Sequence, residues 1–367
     1  MALVDYDEFG PEKVLGVYDS RTGMNGVVVI DNTALGPGKG GIRMTSTVSA
    51  EEVAKLARTM TWKNALAGLP FGGAKAGIKA DDKKITREKK EAMVRAFSRA
   101  LKAVCPEQYI AGPDMYMAEE EMRWFADANG DRRACTGKPR DMGGIPHELG
   151  STGFGVFHAA RVAAPFAGLD LKDATFAVEG FGNVGWFVAK YGTEIGAKLV
   201  AASDSRGMTC NFGGIDFKEL DRVKKETGSV VPLKGGDCSC CDSILDVKAD
   251  TLFTAAVPDL IKPADIGRLK FKLIVEGSNI PMTPAVEELC RKKGILVVPD
   301  FVANSGGVIS SYVEYIGGDE NQMFPMVEEK IVHNARLVLE DSQKRDLPPR
   351  QCAMDLAVKR VRDKMKG

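Results

Sequence analysis

The chain has 367 residues, with fifty basic and fifty acidic side chains and a formal net charge of zero. That balance leaves no basic stripe for nucleic acid or an anionic membrane, and no apolar run approaches the roughly 18–20 residues that a bilayer span requires. The length exceeds what one hydrophobic core usually serves, so two domains are expected.

The opening stretch MALVDYDEFGPEKV is acidic and lacks the basic segment and apolar core of a signal peptide, so a cytoplasmic location is expected. Residues 1–30 read as a short helical start followed by a strand, GVVVI, at Gly26–Ile30. Gly36–Gly41 reads as a loop around Lys39. It is not a P-loop, because Lys39 is followed by glycine rather than Ser or Thr; the same objection removes GGAKAG around Lys75. Between these runs, Ser49 and Glu52 have the spacing of a capping box, and Val53, Leu56, Ala57 and Met60 form an apolar stripe. Continuing by three places Lys63, a cation, at the edge of the buried face. Lysine is almost never fully buried unless paired, so Lys39, Lys63 and Lys75 are candidate site residues. An amphipathic helix over Thr86–Val104 looks like scaffold. QYIAGPDMYM then gives a short strand and a turn carrying Asp114. A turn aspartate beside proline is commonplace, but three unusual lysines nearby favour a functional one. A further helix covers Ala118–Ala128. The Gly-, Pro- and charge-rich segment Cys135–Gly150 is the expected domain boundary, and a helix over Thr152–Ala164 follows.

The second domain shows itself in its order of elements. ATFAVE (Ala174–Glu179) is a buried strand, GFGNVG places glycines at 180, 182 and 185, and a helical stretch runs to Ile195. A second strand, KLVAAS, ends at Asp204. Strand, glycines, helix, strand and terminal acid in this order specify a dinucleotide-binding fold. The glycines let the backbone approach a pyrophosphate seated on the helix N-terminus, and Asp204 is placed to accept hydrogen bonds from the adenosine ribose. Strands at Thr251–Ala256, Lys272–Asn279 and Ile295–Asp300 complete a doubly wound parallel sheet. Ala255, Ala256, Ser278 and Asn279 fall at its ligand-binding carboxyl ends. VANSGGVISSYVEY has a glycine turn leading into a helix that contains Ser311, and Phe324–Met365 is helical with a break at Pro348–Pro349. The expected fold is therefore α/β with two domains. Residues 1–145, completed by 324–367, form a substrate and oligomerisation domain; 146–323 form a Rossmann-type domain.

Cys238, Cys240 and Cys241 cluster, but no second CxxC pair exists, and His147, His158 and His333 are distant in sequence. This stretch reads as a surface loop, and no metal is expected.

Taken together, KGGIRM, MTWKNALAGLPFGGAKAG, AGPDM, STGFG, GFGNVG, VEGSN and NSGGV resemble, in order and over about Gly26–Tyr315, the glutamate/leucine/phenylalanine/valine dehydrogenase family. The resemblance implies reversible oxidative deamination of an L-amino acid to a 2-oxo acid and ammonia, with NAD or NADP as hydride carrier. It implies that Lys63 binds the substrate α-carboxylate and that Lys75 polarises the carbonyl and activates water. Asp114 would move protons to and from the amino group. Gly40, Thr152 and Asn304 would line the substrate site; Gly180, Gly182, Asn183, Val184, Gly185, Asp204, Ser205, Arg206, Ala255, Ala256 and Asn279 would line the cofactor site. Glutamate-type members of the family carry lysine where Lys39 stands and serine where Ser311 stands, and both hold the substrate's second carboxylate. A buried carboxylate needs such a cation and donor, so L-glutamate and 2-oxoglutarate are the expected substrates; an aliphatic or aromatic amino acid is the alternative. Asp204 favours NAD, whereas Ser205 with Arg206 could hold the 2′-phosphate of NADP. Asp259 stands where many relatives have asparagine and is assigned no contact. A homohexamer is the expected assembly. A non-catalytic dinucleotide sensor would be expected to have lost Lys75 or Asp114, and both are present.

Overall fold

The computed structural model describes residues 4–233 and 242–366, so the Cys238–Cys241 cluster lies outside the described residues. The chain forms two compact units. One takes the residues up to Leu149, Val308–Met323 and the chain from Leu356 onward; the other takes Gly150–Gly307 and Phe324–Asp355.

The first unit contains strands β1 (Lys13–Asp19), β2 (Met24–Asn32), β3 (Gly38–Lys39) and β4 (Ile42–Thr45), helix α1 (Ala50–Leu66) and strand β5 (Gly72–Lys79). Helix α2 (Arg87–Ala100), strand β6 (Tyr109–Ile110) and helix α3 (Glu119–Asn129) follow. The sheet runs β1-β2-β5-β3-β6, with β4 also pairing with β5. Between Val4 and Ile30 the expected helical start is instead a hairpin: Lys13–Asp19 pairs antiparallel with Met24–Ile30. The alternating exposure of KVLGVYD has the period of a strand, and Asp19 closes the turn by accepting from the Arg21 amide and the Thr22 hydroxyl. Within Gly36–Gly41, expected as loop throughout, Gly38 and Lys39 form a short parallel strand against β5 and β6.

Alternation along these strands sorts the sheet into two faces. Val28, Ile30, Ile42, Met44, Ala74, Ala76 and Ile78 point into a core shared with Phe97 of α2 and Phe125 of α3. The opposite face is covered by α1, which packs closely because Gly73 and Gly77 have no side chains. A Cβ on Gly73 would lie 2.0 Å from the Thr61 hydroxyl. Lys75 falls between these two glycines, on the α1 side. Parallel register places Lys39 beside Gly73 and Arg43 beside Gly77, so three cations line one face. Ser49 caps α1 through the Glu52 amide, and Lys63 occupies its last turn.

The second unit begins with α4 (Ser151–Ala163) and then β7 (Thr175–Glu179), α5 (Asn183–Glu194), β8 (Lys198–Asp204), β9 (Gly207–Cys210), α6 (Phe217–Thr227) and β10 (Thr251–Thr254). β11 (Leu273–Glu276), α7 (Pro284–Lys292), β12 (Leu296–Val298) and the short α8 (Asp300–Ala303) complete the winding. The strand order is β12-β11-β10-β7-β8-β9, parallel except for β8 with β9. This is the doubly wound sheet that the sequence order specified.

Helices α9 (Gly306–Tyr315), α10 (Glu320–Arg345) and α11 (Pro349–Met365) close the chain. Here the units part from the expected domain limits, since 308–323 groups with the first unit and 324–355 with the second. Side-chain partners explain the difference. Phe71 meets Tyr312 and Tyr315 edge-on at 5.6 and 5.2 Å, whereas Phe324 packs against Phe154 at 5.0 Å. A helical period shows that a face is buried, not which surface buries it. Among the described residues no helix is long and apolar enough to cross a membrane, and no group of His, Cys, Asp or Glu could hold a metal ion.

Candidate active site

In the first unit the sheet face under α1 gathers the predicted residues. Lys75 is buried, and its Nζ lies 2.9 Å from Asp114 Oδ2. The same oxygen accepts from Arg43 Nε at 3.0 Å, and Arg43 reaches on to Glu52. Burial opposes the charge of Asp114, but Lys75 and Arg43 outweigh it and hold the carboxyl below its ordinary value. Burial pushes Lys75 down from the usual lysine range, and Asp114 offsets part of that. The pair is thus a carboxylate and a lowered-pKa ammonium in direct hydrogen bond, a geometry suited to passing a proton. Sequence reasoning missed Arg43. Its signal was a charged position alternating with buried Ile42 and Met44 in β4.

Lys39 is only 4% exposed. Its Nζ donates to the Ala111 carbonyl at 2.6 Å, and among the described residues no carboxylate lies within ion-pair distance of it. Gly40 must be glycine, because a Cβ there would sit 1.6 Å from the Ala74 carbonyl oxygen. Burial lowers Lys39 to about 8, with Cys135 and Glu314 pulling upward and Lys138 and Lys75 downward. Glu314, another residue the sequence did not disclose, is buried in α9 one turn beyond Ser311 and ion-paired with Lys138 Nζ at 2.6 Å. Lys63 and Ser311 belong to the same unit.

The second unit carries the nucleotide elements. Gly180 has φ of 88° and lies against Ala256, where a Cβ would meet that residue's Cβ at 2.4 Å. Gly182 starts α5 without a side-chain cap, and a Cβ on it would meet nothing within 4 Å. A Cβ on Gly185 would strike the Gly180 carbonyl at 2.1 Å, so the helix sits tightly on its strand. The Asn183 Oδ1 is buried without a partner. An uncapped helix N-terminus and an open glycine fit a bound pyrophosphate, and the Asn183 oxygen is free to accept from a hydroxyl donor. At the strand ends Glu179, whose carboxyl burial pushes up, accepts from the amides of Ala255, Ala256 and Val257 at 3.0, 3.1 and 3.4 Å. The Asn304 amide donates to Asn279 Oδ1 at 2.9 Å. Thr152 is brought to the glycine-bearing first turn of α9, with its hydroxyl 3.1 Å from where a Gly307 Cβ would stand.

Asp204 departs from expectation. Its Oδ1 accepts from the Arg206 amide at 2.9 Å and Ser229 Oγ at 3.3 Å; its Oδ2 accepts from Lys224 Nζ and the Val230 amide, both at 2.8 Å. Burial opposes the charge, but Lys224 and these amides hold it at about 2. A carboxylate offers roughly four acceptor positions, and four donors occupy them here, from the Arg206 amide, Lys224 of α6, Ser229 and the Val230 amide. Ser205 and Arg206 are exposed beside it.

The profile of the family described as Glutamate/Leucine/Phenylalanine/Valine dehydrogenase matches residues 143–367, and that of the Glu/Leu/Phe/Val dehydrogenase dimerisation domain matches 11–130. A glutamate dehydrogenase of Aeropyrum pernix is 38% identical, over 99% of this chain and 94% of the relative. An NADP-specific glutamate dehydrogenase of Saccharolobus shibatae is 37% identical, over 97% and 90%. The solved hetero-hexameric glutamate dehydrogenase of Thermus thermophilus, in its Leu-bound form, superposes with a TM-score of 0.83 at 28% identity, covering 97% of this chain and 90% of that one.

Proposed function

Since the chain belongs to the glutamate/leucine/phenylalanine/valine dehydrogenase family, we propose that it catalyses the reversible oxidative deamination of L-glutamate to 2-oxoglutarate and ammonia. The observation that carries the choice of substrate is Lys39, a buried ammonium with one carbonyl as its hydrogen-bond partner and no ion-pair partner among the described residues. Such a cation is costly to bury and is relieved by a carboxylate arriving with the ligand. Ser311 supplies the second donor, and Lys63 takes the α-carboxylate. Lys75 polarises the 2-oxo group. Asp114 exchanges protons with the amino group; a nicotinamide cofactor, held by the Gly180–Gly185 turn, would supply the hydride chemistry at the substrate Cα. Gly40, Thr152 and Asn304 shape the substrate site. Glutamate dehydrogenase is also what relatives of Aeropyrum and Saccharolobus are named.

In parallel assays the purified protein should oxidise the reduced cofactor with 2-oxoglutarate and ammonia, and far more slowly with 4-methyl-2-oxopentanoate. Replacing Lys39 by leucine should lower kcat/KM for 2-oxoglutarate at least about a hundredfold, because a site built for a charged group loses its partner. Undiminished turnover of 2-oxoglutarate by K39L would overturn the assignment.

We further propose NADP(H) as the preferred cofactor, held by Gly180, Gly182, Asn183, Val184, Gly185, Ala255, Ala256 and Asn279. The filled acceptors of Asp204 support this, since they leave it unable to select a ribose hydroxyl, and Lys224 offsets the repulsion it would exert on a 2′-phosphate. Ser205 and Arg206 then grip the phosphate. Arg206→Ala should raise KM for NADPH about tenfold and leave that for NADH unchanged; equal effects on both would refute the 2′-phosphate role. Assembly as a homohexamer is proposed on the match to the dimerisation domain and the hexameric structural relative, with sedimentation equilibrium as its test.

A further inference from the structure

Beside Lys39 the structure holds a buried carboxylate that the reaction itself does not use. Glu314 has every acceptor position engaged. Its Oε2 takes the amides of Gly137 at 2.9 Å and Ile145 at 3.1 Å; its Oε1 takes the Lys138 amide at 3.3 Å and Lys138 Nζ at 2.6 Å. Lys138 Nζ is itself tied to the Cys135 carbonyl at 2.7 Å. One side chain of α9 thereby organises the segment 137–145 across about 170 residues of sequence. Three residues before it, on the same helical face, stands Ser311. The aim of a serine at that position depends on how the helix is rotated. The four bonds to Glu314 and the edge-on contacts of Tyr312 and Tyr315 with Phe71 fix that rotation.

We propose that Glu314 is a positioning residue for the pocket that receives the substrate's second carboxylate: it fixes α9, and with it Ser311, and offsets the charge that Lys138 brings near Lys39. The proposal rests on the reading of Lys39 and Ser311 as a dicarboxylate site. It also explains why this buried segment carries an ion pair where two apolar residues would pack at less cost. Lys138 alone would crowd Lys39 with a second cation, and Glu314 cancels it.

The titratable groups facing Lys39 are Glu314 from α9, Lys138 and Cys135 from the segment after α3, and Lys75 from β5. Burial pushes the Cys135 thiol up to about 12, so it stays neutral in the working range. Lys39 is charged below about 8 and neutral above it, so KM for 2-oxoglutarate in the wild type should begin to rise near that pH. Glu314 raises and Lys138 lowers the Lys39 value, which gives two variants of opposite sign. Glu314→Gln should move the rise to lower pH and increase KM for 2-oxoglutarate about tenfold at neutral pH, with a smaller change in kcat. Lys138→Met should move the rise to higher pH. A merely structural role for the pair would lower activity in both variants without shifting the pH limb in opposite directions.

The measurement is KM for 2-oxoglutarate between pH 6 and 10, on wild type and both variants, with 4-methyl-2-oxopentanoate as the control substrate. Opposite shifts for 2-oxoglutarate alone support the proposal. Unshifted limbs, or equal shifts for both substrates, overturn it. Should Glu314→Gln fail to fold, the upward shift in Lys138→Met decides alone. A wild type without preference for 2-oxoglutarate would instead refute the dicarboxylate reading, which separates the two failures.

Discussion

Asp114→Asn should lower kcat about a thousandfold while leaving KM for 2-oxoglutarate within about threefold of wild type. The asparagine keeps an oxygen for Arg43 Nε and Lys75 Nζ, which now lie 3.0 and 2.9 Å from Asp114 Oδ2, so the fold and the lysines proposed to bind carboxylates are retained. What is lost is the only carboxylate that Lys75 touches among the described residues. Without it Lys75 falls further, because both the charge and the hydrogen bond of Asp114 hold it up. The residual activity should therefore lose its acid–base profile rather than merely its amplitude. Steady-state kinetics from pH 6 to 10, with far-ultraviolet circular dichroism as a folding control, test this. A kcat within tenfold of wild type in a folded variant would remove Asp114 from proton transfer.

The second large effect concerns stability. Arg350, at the start of α11, donates to Glu287 at 2.6 Å and to Glu276 and Asp300 at 2.9 Å each, with its guanidinium 5.4 Å from the centre of the Phe301 ring. Three carboxylates thus share one cation inside the second unit. Burial raises Glu276 and Glu287, with Arg350 opposing. Arg350→Met removes the one balancing charge and should cost about 3–5 kcal/mol.

The pH dependence has a definite sign. A carboxyl whose folded value is raised binds more protons folded than unfolded, so its contribution is complete below its unfolded value near 4.5 and is lost as pH rises. Removing Arg350 raises both glutamates further, so the deficit of the variant should grow between pH 5 and 8. Urea titration monitored by hydrogen exchange at β11 amides would show it. A pH-independent loss under about 1 kcal/mol would mean that the protonation of these carboxyls does not depend on Arg350.

These residues mark where sequence reading stops. The strand–glycine–helix–strand order around Gly180–Asp204 was legible because each of its signals lies within a few residues of the next. Lys39, Lys75 and Asp114 were legible because charge stood among glycines and apolar residues. Arg43 was overlooked as an ordinary strand cation, and Glu314 and Arg350 as ordinary helix charges, since their partners lie 71, up to 177 and up to 74 residues away. Period and propensity are local, whereas ion pairing is chosen in three dimensions. The same limit misallotted 324–355, where the choice between Phe71 and Phe154 as packing partner leaves no mark on the helical repeat. Asp204 shows the converse: it stands at the end of β8 as expected, but its Oδ2 accepts from Lys224 of α6 and from the Val230 amide, 20–26 residues onward, which no local pattern announces.

The register of β3 against β5 has a consequence for how substrate length can change. Lys39 pairs with Gly73, and Lys75 lies two residues further along the neighbouring strand, so the separation of these lysines is counted in whole rungs. Strand positions on one face recur about every 6.6–6.8 Å, several times the increment that one methylene adds to an extended chain. Lengthening or shortening the proposed pocket by a single carbon is thus out of reach for a sheet shift, since a one-residue slip turns the lysine of the shifted strand onto the wrong face and a two-residue slip overshoots. Any drift toward shorter or longer diacids must come from α9 sliding or turning above a gauge that moves only in coarse steps.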